Sequence, residues 1–231
     1  MQILTLTAPV FGACCYLVVA DDLDTVVIDV GGGVAPEVAR VVADRGLRVT
    51  GVLATHGHAD HVWDAAQVAD AAGVPVTIHA RDAFRMDDPM APLGGVRSGV
   101  FAALQSSGLS TQWRRPARID LIAAKDKSDR TADVELTFGS VRLTARHAPG
   151  HTEGSTLYLL DEAAVCTGDV VFRGAIGRTD LPGGDHPAML TTLREVIATL
   201  PSDAVVLPGH GPASRVAEEL ATNPFLIDLA G

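Results

Sequence analysis

A chain of 231 residues, 47% of them hydrophobic, is long enough for one large domain or two small ones and carries enough apolar matter for a sizeable core. Its formal net charge of −10, with no basic run or stripe, argues against nucleic acid as the main partner. No apolar stretch reaches 18 residues and the N-terminus lacks the basic-then-apolar build of a signal peptide, so no membrane partner is expected.

The first third reads mainly as strands. Ile3 and Leu6, then residues 16–19 and 26–29, are apolar runs separated by Gly12 or by the acidic cluster 21–24. Gly31, Gly32 and Gly33 close the third run. They lack both the G-x-G-x-x-G and the P-loop spacing and read as a permissive turn rather than a phosphate cradle. Pro36 opens a helix through Val38, Val41 and Val42 that Gly46 ends. Residues 49–55 are a short β-branched run, a buried strand.

That strand leads into Thr55-His56-Gly57-His58-Ala59-Asp60-His61. From the residue frequencies of this chain, H-x-H-x-D-H arises by chance about once in a thousand such sequences. Imidazole nitrogen and carboxylate oxygen are the usual ligands of Zn²⁺ and similar ions, whereas a capping turn needs no three histidines at this spacing. Beyond the motif Val62, Ala65, Ala66, Ala69 and Ala72 recur at helical spacing and Gly73 stops the run. The motif is therefore a strand-to-helix turn, and its ligands project past the carboxyl end of the strand.

Residues 76–79 are a short strand ending in His79, read as a structural histidine outside the ligand set. Residues 84–130 are the least legible: loop-like over 87–95, helical over 100–109, and basic at Arg114, Arg115 and over 125–130. They read either as a lid or seat for an anionic substrate group, or as a solvated insertion. Residues 134–138 and 141–146 pair as a hairpin and lead to Pro149-Gly150-His151-Thr152. Strands over 155–160 and 163–167 follow, the second ending in Gly168-Asp169. A helix spans 187–200, and a last strand over 205–207 ends in Pro208-Gly209-His210-Gly211. Four strand ends are thus each followed by a turn bearing His or Asp, and strand ends of one layered fold converge in space. Cys14, Cys15 and Cys166 form no C-x-x-C pair, which predicts a reduced, cytoplasmic protein.

The ordered motifs T-H-x-H-x-D-H, P-G-H-T, G-D and P-G-H-G, spanning residues 55 to 211, resemble the metallo-β-lactamase superfamily. Residues 148–155, 167–169 and 177–181, with Asn223-Pro224-Phe225-Leu226, look like its glyoxalase II (hydroxyacylglutathione hydrolase) branch. The resemblance implies an α/β fold, an αββα sandwich, over residues 1–231 as one domain with a lid or insertion at 84–130. It implies two divalent ions, zinc first, with iron or manganese also suited to the donors. His56, His58 and His151 would hold one ion, Asp60, His61 and His210 the other, and Asp169 would bridge them. Asp60 would also orient the attacking hydroxide. The substrate implied is a small-molecule thioester, with Arg178 at a basic position that touches glutathione in the larger enzymes and Asp180 where those carry an aromatic. Trp63 and Phe172, near ligands, are candidate pocket walls. The chain runs about twenty residues past His210, so the helical C-terminal domain of the larger enzymes is expected to be missing. The nearest rival is the persulfide dioxygenase branch, with one iron on residues corresponding to His56, His151 and Asp169, but with a cysteine where Ile176 stands here. A lactonase and a non-catalytic metal-binding module complete the alternatives.

Overall fold

The computed structural model describes residues 1–91, 97–122, 133–161 and 163–227. The basic run 125–130 and part of the 87–95 loop lie outside the described residues.

The first half of the chain builds one six-stranded sheet, in the order β1 (Gln2–Thr7), β2 (Cys14–Val19), β3 (Asp24–Ile28), β4 (Arg48–Leu53), β5 (Val76–His79), β6 (Ile119–Ile122). The first three strands pair antiparallel and the rest parallel, with α1 (Ala35–Arg45), α2 (Ala59–Val62), α3 (Ala65–Ala72) and α4 (Arg97–Ser106) in the connections. The second half builds another six-stranded sheet from β7 (Val134–Phe138), β8 (Val141–His147), β9 (Thr156–Leu160) and β10 (Ala164–Gly168), extended by β13 (Val205–Pro208) and β14 (Ser214–Arg215). A small hairpin, β11 (Val171–Phe172) and β12 (Ala175–Ile176), and helices α5 (His186–Glu195), α6 (Val216–Thr222) and α7 (Pro224–Ile227) complete it.

Alternation sorts the core into layers, because successive strand residues face opposite ways. Tyr16, Val18, Val26 and Ile28 from one sheet meet Leu143, Tyr158, Leu160 and Cys166 from the other. Cys15, Leu17, Val27 and Val52 turn outward onto Val38, Val41, Val68 and Ala69 of α1 and α3. On the far side Leu157, Val165 and Val206 pack on Met189 and Leu193 of α5. The result is the expected αββα sandwich. It explains why β2 is apolar at every position, being covered on both faces, while β8 alternates buried and open residues. Near one end the sheets are also tied by buried hydrogen bonds: Tyr16 Oη donates to Pro208 O (2.7 Å), Tyr158 Oη to Ala54 O (2.9 Å), and Thr156 N to Thr55 O (2.9 Å).

Several boundaries differ from the sequence reading. The helix expected to run on to Ala72 breaks at Trp63 and Asp64. Asp64 N donates to Val30 O (3.0 Å) and its carboxylate accepts from Gly33 N (2.8 Å) and Ala35 N (3.2 Å), so a tertiary partner pulls it out of register. The same carboxylate caps α1, whose own N-cap Val34 has no side-chain acceptor. The helix expected over 187–200 ends at Glu195, and after Val196 a 3₁₀ turn, Ile197–Thr199, follows. The strand expected over 49–55 stops at Leu53, which frees Ala54 and Thr55 to bond across to the other sheet. β6, β11, β12, β14 and the two terminal helices carry too little periodicity to be read in advance. No helix among the described residues is long and apolar enough to cross a membrane.

Candidate metal centre

The four ligand-bearing turns leave the carboxyl ends of β4, β8, β10 and β13, so both sheets deliver them to one edge. After β4 the chain is extended at His58 and turns into α2 at Ala59, which brings His56, His58, Asp60 and His61 to one place. Gly57 must be glycine, since a Cβ there would lie 2.7 Å from Arg85 Cβ. Gly209, before His210, is equally constrained, because a Cβ would run into the Asp169 carboxylate.

His56, His58, Asp60, His61, His151, Asp169 and His210 come together in three overlapping groups, the donor atoms of each within 4.8 Å of one another. His58 Nδ1 stands 2.9 Å from His151 Nε2, and His61 Nε2 3.3 Å from His210 Nε2. Asp60 Oδ2 lies 3.3 Å from His210 Nε2, and Asp169 reaches both sides: Oδ1 is 3.3 Å from His61 Nε2 and Oδ2 3.6 Å from His151 Nε2. Ligands of a tetrahedral ion with bonds of about 2.0–2.1 Å stand about 3.3–3.4 Å apart. The spacing fits shared cations. His56 Nε2 is buried with no hydrogen-bond partner among the described residues, as a nitrogen aimed at an ion would be.

Electrostatics divides the cluster. Burial, followed by the neighbouring histidines, pushes His56 well below the ordinary imidazole range, and burial with His151 brings His58 down to about 3. Both are neutral and keep a lone pair for a ligand bond. Burial also pulls His61 down, but Asp169, Asp29 and Asp60 outweigh it and raise that imidazole well above its usual value. For Asp60 and Asp169 burial acts upward and the adjacent His61 wins, holding both carboxyls below the ordinary range.

Outer groups fix the rings. Asp29, buried at the end of β3 with a left-handed φ of 59°, takes Thr55 N (2.7 Å) and Thr55 Oγ1 (2.8 Å) and stands 2.9 Å from His61 Nδ1. His151 Nδ1 donates to Arg178 O (2.8 Å), which leaves Nε2 facing the centre. In the sequence Asp29 reads only as a strand end. A carboxylate closing the apolar run over 26–28 is the signal available. Asp82 and Arg85, buried beneath the His56–His58 turn, gave no signal at all.

Beside the ligands lies a cavity of about 460 Å³ with walls from Phe11, Val100 and Leu181 and a rim that includes Arg178. Phe11, which sequence reasoning missed, is 46% exposed and held at φ 65° by the tight β1–β2 connection. Arg178 lines the cavity, but its guanidinium is taken up by a two-point pair with Asp180 (2.7 and 2.8 Å). Phe172 sits edge-on to His210, ring centroids 6.2 Å apart, against a ligand rather than in the cavity wall. Trp63 does not line the cavity. It packs with Val10, Met90 and Leu104 and its Nε1 donates to Ser110 O (3.3 Å), because the break before α3 turns it into the apolar cluster under α4.

The model of the metallo-beta-lactamase superfamily matches residues 8–210. The chain belongs to the metallo-beta-lactamase superfamily. Members of this superfamily bind metal ions and are mostly metal-dependent hydrolases. A probable metallo-hydrolase, YqgX, of Bacillus subtilis (strain 168) is 33% identical over 215 residues, covering 93% of this chain and 92% of its own. The hydroxyacylglutathione hydrolase GloC of Haemophilus influenzae is 29% identical over 228 residues, covering 98% and 97%. Among solved structures, the B3 metallo-beta-lactamase BLEG-1 superposes with a TM-score of 0.81 at 30% identity, over 97% of this chain and 99% of that one. TTHA1623 in a di-iron-bound form gives 0.73 at 30% identity, over 96% and 100%.

Proposed function

We propose that the chain is a binuclear metal-dependent hydrolase that cleaves a small-molecule thioester such as S-lactoylglutathione or a related thiol ester. One observation carries the reading: two triads of donors, His56, His58 and His151 beside Asp60, His61 and His210, with Asp169 reaching both. A single-iron dioxygenase would leave the second triad without a task. The similarity to a hydroxyacylglutathione hydrolase along almost the whole of both chains supports the thioester as substrate class.

His56, His58 and His151 would hold one ion and Asp60, His61 and His210 the other, with Asp169 between; the donor set suits zinc, and iron or manganese as well. When bound, such a pair lowers the pKa of a water from 15.7 towards about 7 and polarises the carbonyl under attack. Asp60, ionised and on the cavity side, would accept a hydrogen bond from the attacking water and so aim its lone pair. Phe11, Val100 and Leu181 exclude bulk water around the acyl group. A thiol of pKa about 8–9 departs as thiolate, so no strong general acid is required of the chain.

The test is turnover of S-D-lactoylglutathione by protein loaded in turn with Zn²⁺, Mn²⁺ and Fe²⁺, with a cephalosporin chromophore and oxygen uptake on glutathione persulfide in parallel. Thioester cleavage is expected, with kcat reduced at least a hundredfold and metal lost in His58→Ala. If His58→Ala keeps both metal and turnover, the site is wrongly assigned. Oxygen uptake with iron and no thioester cleavage would overturn the hydrolase.

A further inference from the structure

We infer that Asp82 is the positioning residue of the three-histidine half of the metal centre, clamping the turn of His56 and His58 to the turn of His151. The inference rests on the two-ion reading above and assigns a task to a residue outside the ligand set.

Asp82 follows β5, is fully buried, and both of its oxygens are spoken for. Oδ2 accepts from Gly57 N (2.9 Å) and from Thr152 Oγ1 (2.8 Å); Oδ1 accepts from Gly154 N (2.8 Å) and from Arg85 Nη1 (2.7 Å). Gly57 lies between His56 and His58, and Thr152 directly follows His151. One carboxylate oxygen therefore bridges two ligand turns that the sequence keeps far apart. A carboxylate has about four acceptor positions, and here all four are filled. An ion buried so deeply would be costly alone. Arg85, 1% exposed, supplies the countercharge and is itself held by Glu153 Oε2 (2.6 Å) and Pro182 O (3.1 Å). Its aliphatic stem lies directly under Gly57, so the His56–Gly57–His58 turn rests on the pair from below. The spacing this clamp sets is the 2.9 Å between His58 Nδ1 and His151 Nε2.

The other half of the centre is held by different groups. Asp29 orients His61, and His210 is fixed by its bridge to Ala13 and by Cys14 N donating to Gly209 O (2.7 Å). The hydrogen bonds of Asp82 reach none of these. Its loss must therefore weaken one ion and spare the other, which a residue that merely supports the fold would not do.

The experiment measures metal affinity by competition with a chromogenic chelator, using Zn²⁺ and Co²⁺ as probes, in two backgrounds. His210→Ala leaves the three-histidine half as the remaining site, and His58→Ala leaves the other. Asp82→Asn added to His210→Ala is expected to weaken the remaining ion by about 10–100-fold, the usual effect of losing a group that orients ligands. Added to His58→Ala it is expected to change affinity less than threefold. Equal losses in both backgrounds, or none in the first, would overturn the inference. If Asp82→Asn does not fold, Thr152→Val removes only the Oγ1 bond and must show the same one-sided loss on a smaller scale. None of these readouts uses turnover. A protein that binds its ions in this way but cleaves no thioester fails the functional reading and leaves the role of Asp82 standing.

Discussion

His79 and His147 lie face to face with ring centroids 4.3 Å apart and planes 1° from parallel, and belong to none of the candidate metal-holding groups. Arg81 N donates to His79 Nδ1 (3.2 Å), which puts the ring proton on a buried Nε2. Burial, then the proximity of His147 and Arg81, pushes His79 down to about 4. Its unfolded value is about 6.5, so the native state binds fewer protons between the two values. The contribution is whole above about pH 6.5 and is lost as pH falls from there towards 4. His79→Phe keeps a ring in the stack and removes the titration. Thermal melts of the two proteins across pH 7 to 4 should show the wild type losing stability more steeply, and parallel curves would contradict this account. The candidate ligands resist such bland readings: metal chemistry demands residue types that strand ends have no other reason to carry, and the seven residues that the structure clusters are legible in the sequence. Asp29, Asp82 and Arg85 did not, because a buried carboxylate or guanidinium looks like any surface charge until its partners are known. Trp63 misled for the opposite reason: closeness to ligands in sequence says nothing about the face a broken helix presents.

Among the elements, the β11–β12 hairpin has two residues in each strand and cannot hold itself. The α6 helix supplies what it lacks. Glu219 Oε2 accepts from Gly174 N in the hairpin turn (2.9 Å) and from Asn223 Nδ2 (2.9 Å), and the same amide reaches Ala175 O (3.0 Å). The hairpin in turn places Phe172 against His210. Glu219→Ala would remove the acceptor that ties the exposed turn at Gly174 to the buried Asn223 amide, at a cost of about 1 kcal/mol. A lower Tm and faster amide exchange at Gly174 are the expected result; unchanged exchange there would show that the hairpin stands without the clamp. Elements of this kind are invisible to pattern reading because their stability comes from partners distant in sequence. The long strands and α1, with Pro at its start and Gly46 at φ 62°, were legible because local chemistry and tertiary role agree.

At the scale of the molecule, each sheet contributes part of the centre: His56, His58, Asp60 and His61 come from the first half, His151, Asp169 and His210 from the second. Ions held there would staple sheet to sheet, beside the neutral ties from Tyr16 and Tyr158. An ion held at a free concentration a hundred times its Kd stabilises the native state by about 2.7 kcal/mol. For a chain of this length each kcal/mol moves Tm by about 2–4 °C. Removing one such ion with a chelator should lower Tm by roughly 5–10 °C and removing two by about twice that, and an unaltered melt would mean the sheets hold together equally well without them.

The same division has a consequence in time. His61 and His210, 3.3 Å apart in space, are 149 residues apart along the chain, and such distant pairs are brought together only after most of the loop-closure entropy has been spent. Ions that need both can tighten only a nearly finished molecule. They would leave the speed of folding as it is and act on the way out, lengthening the life of the native state by slowing its escape.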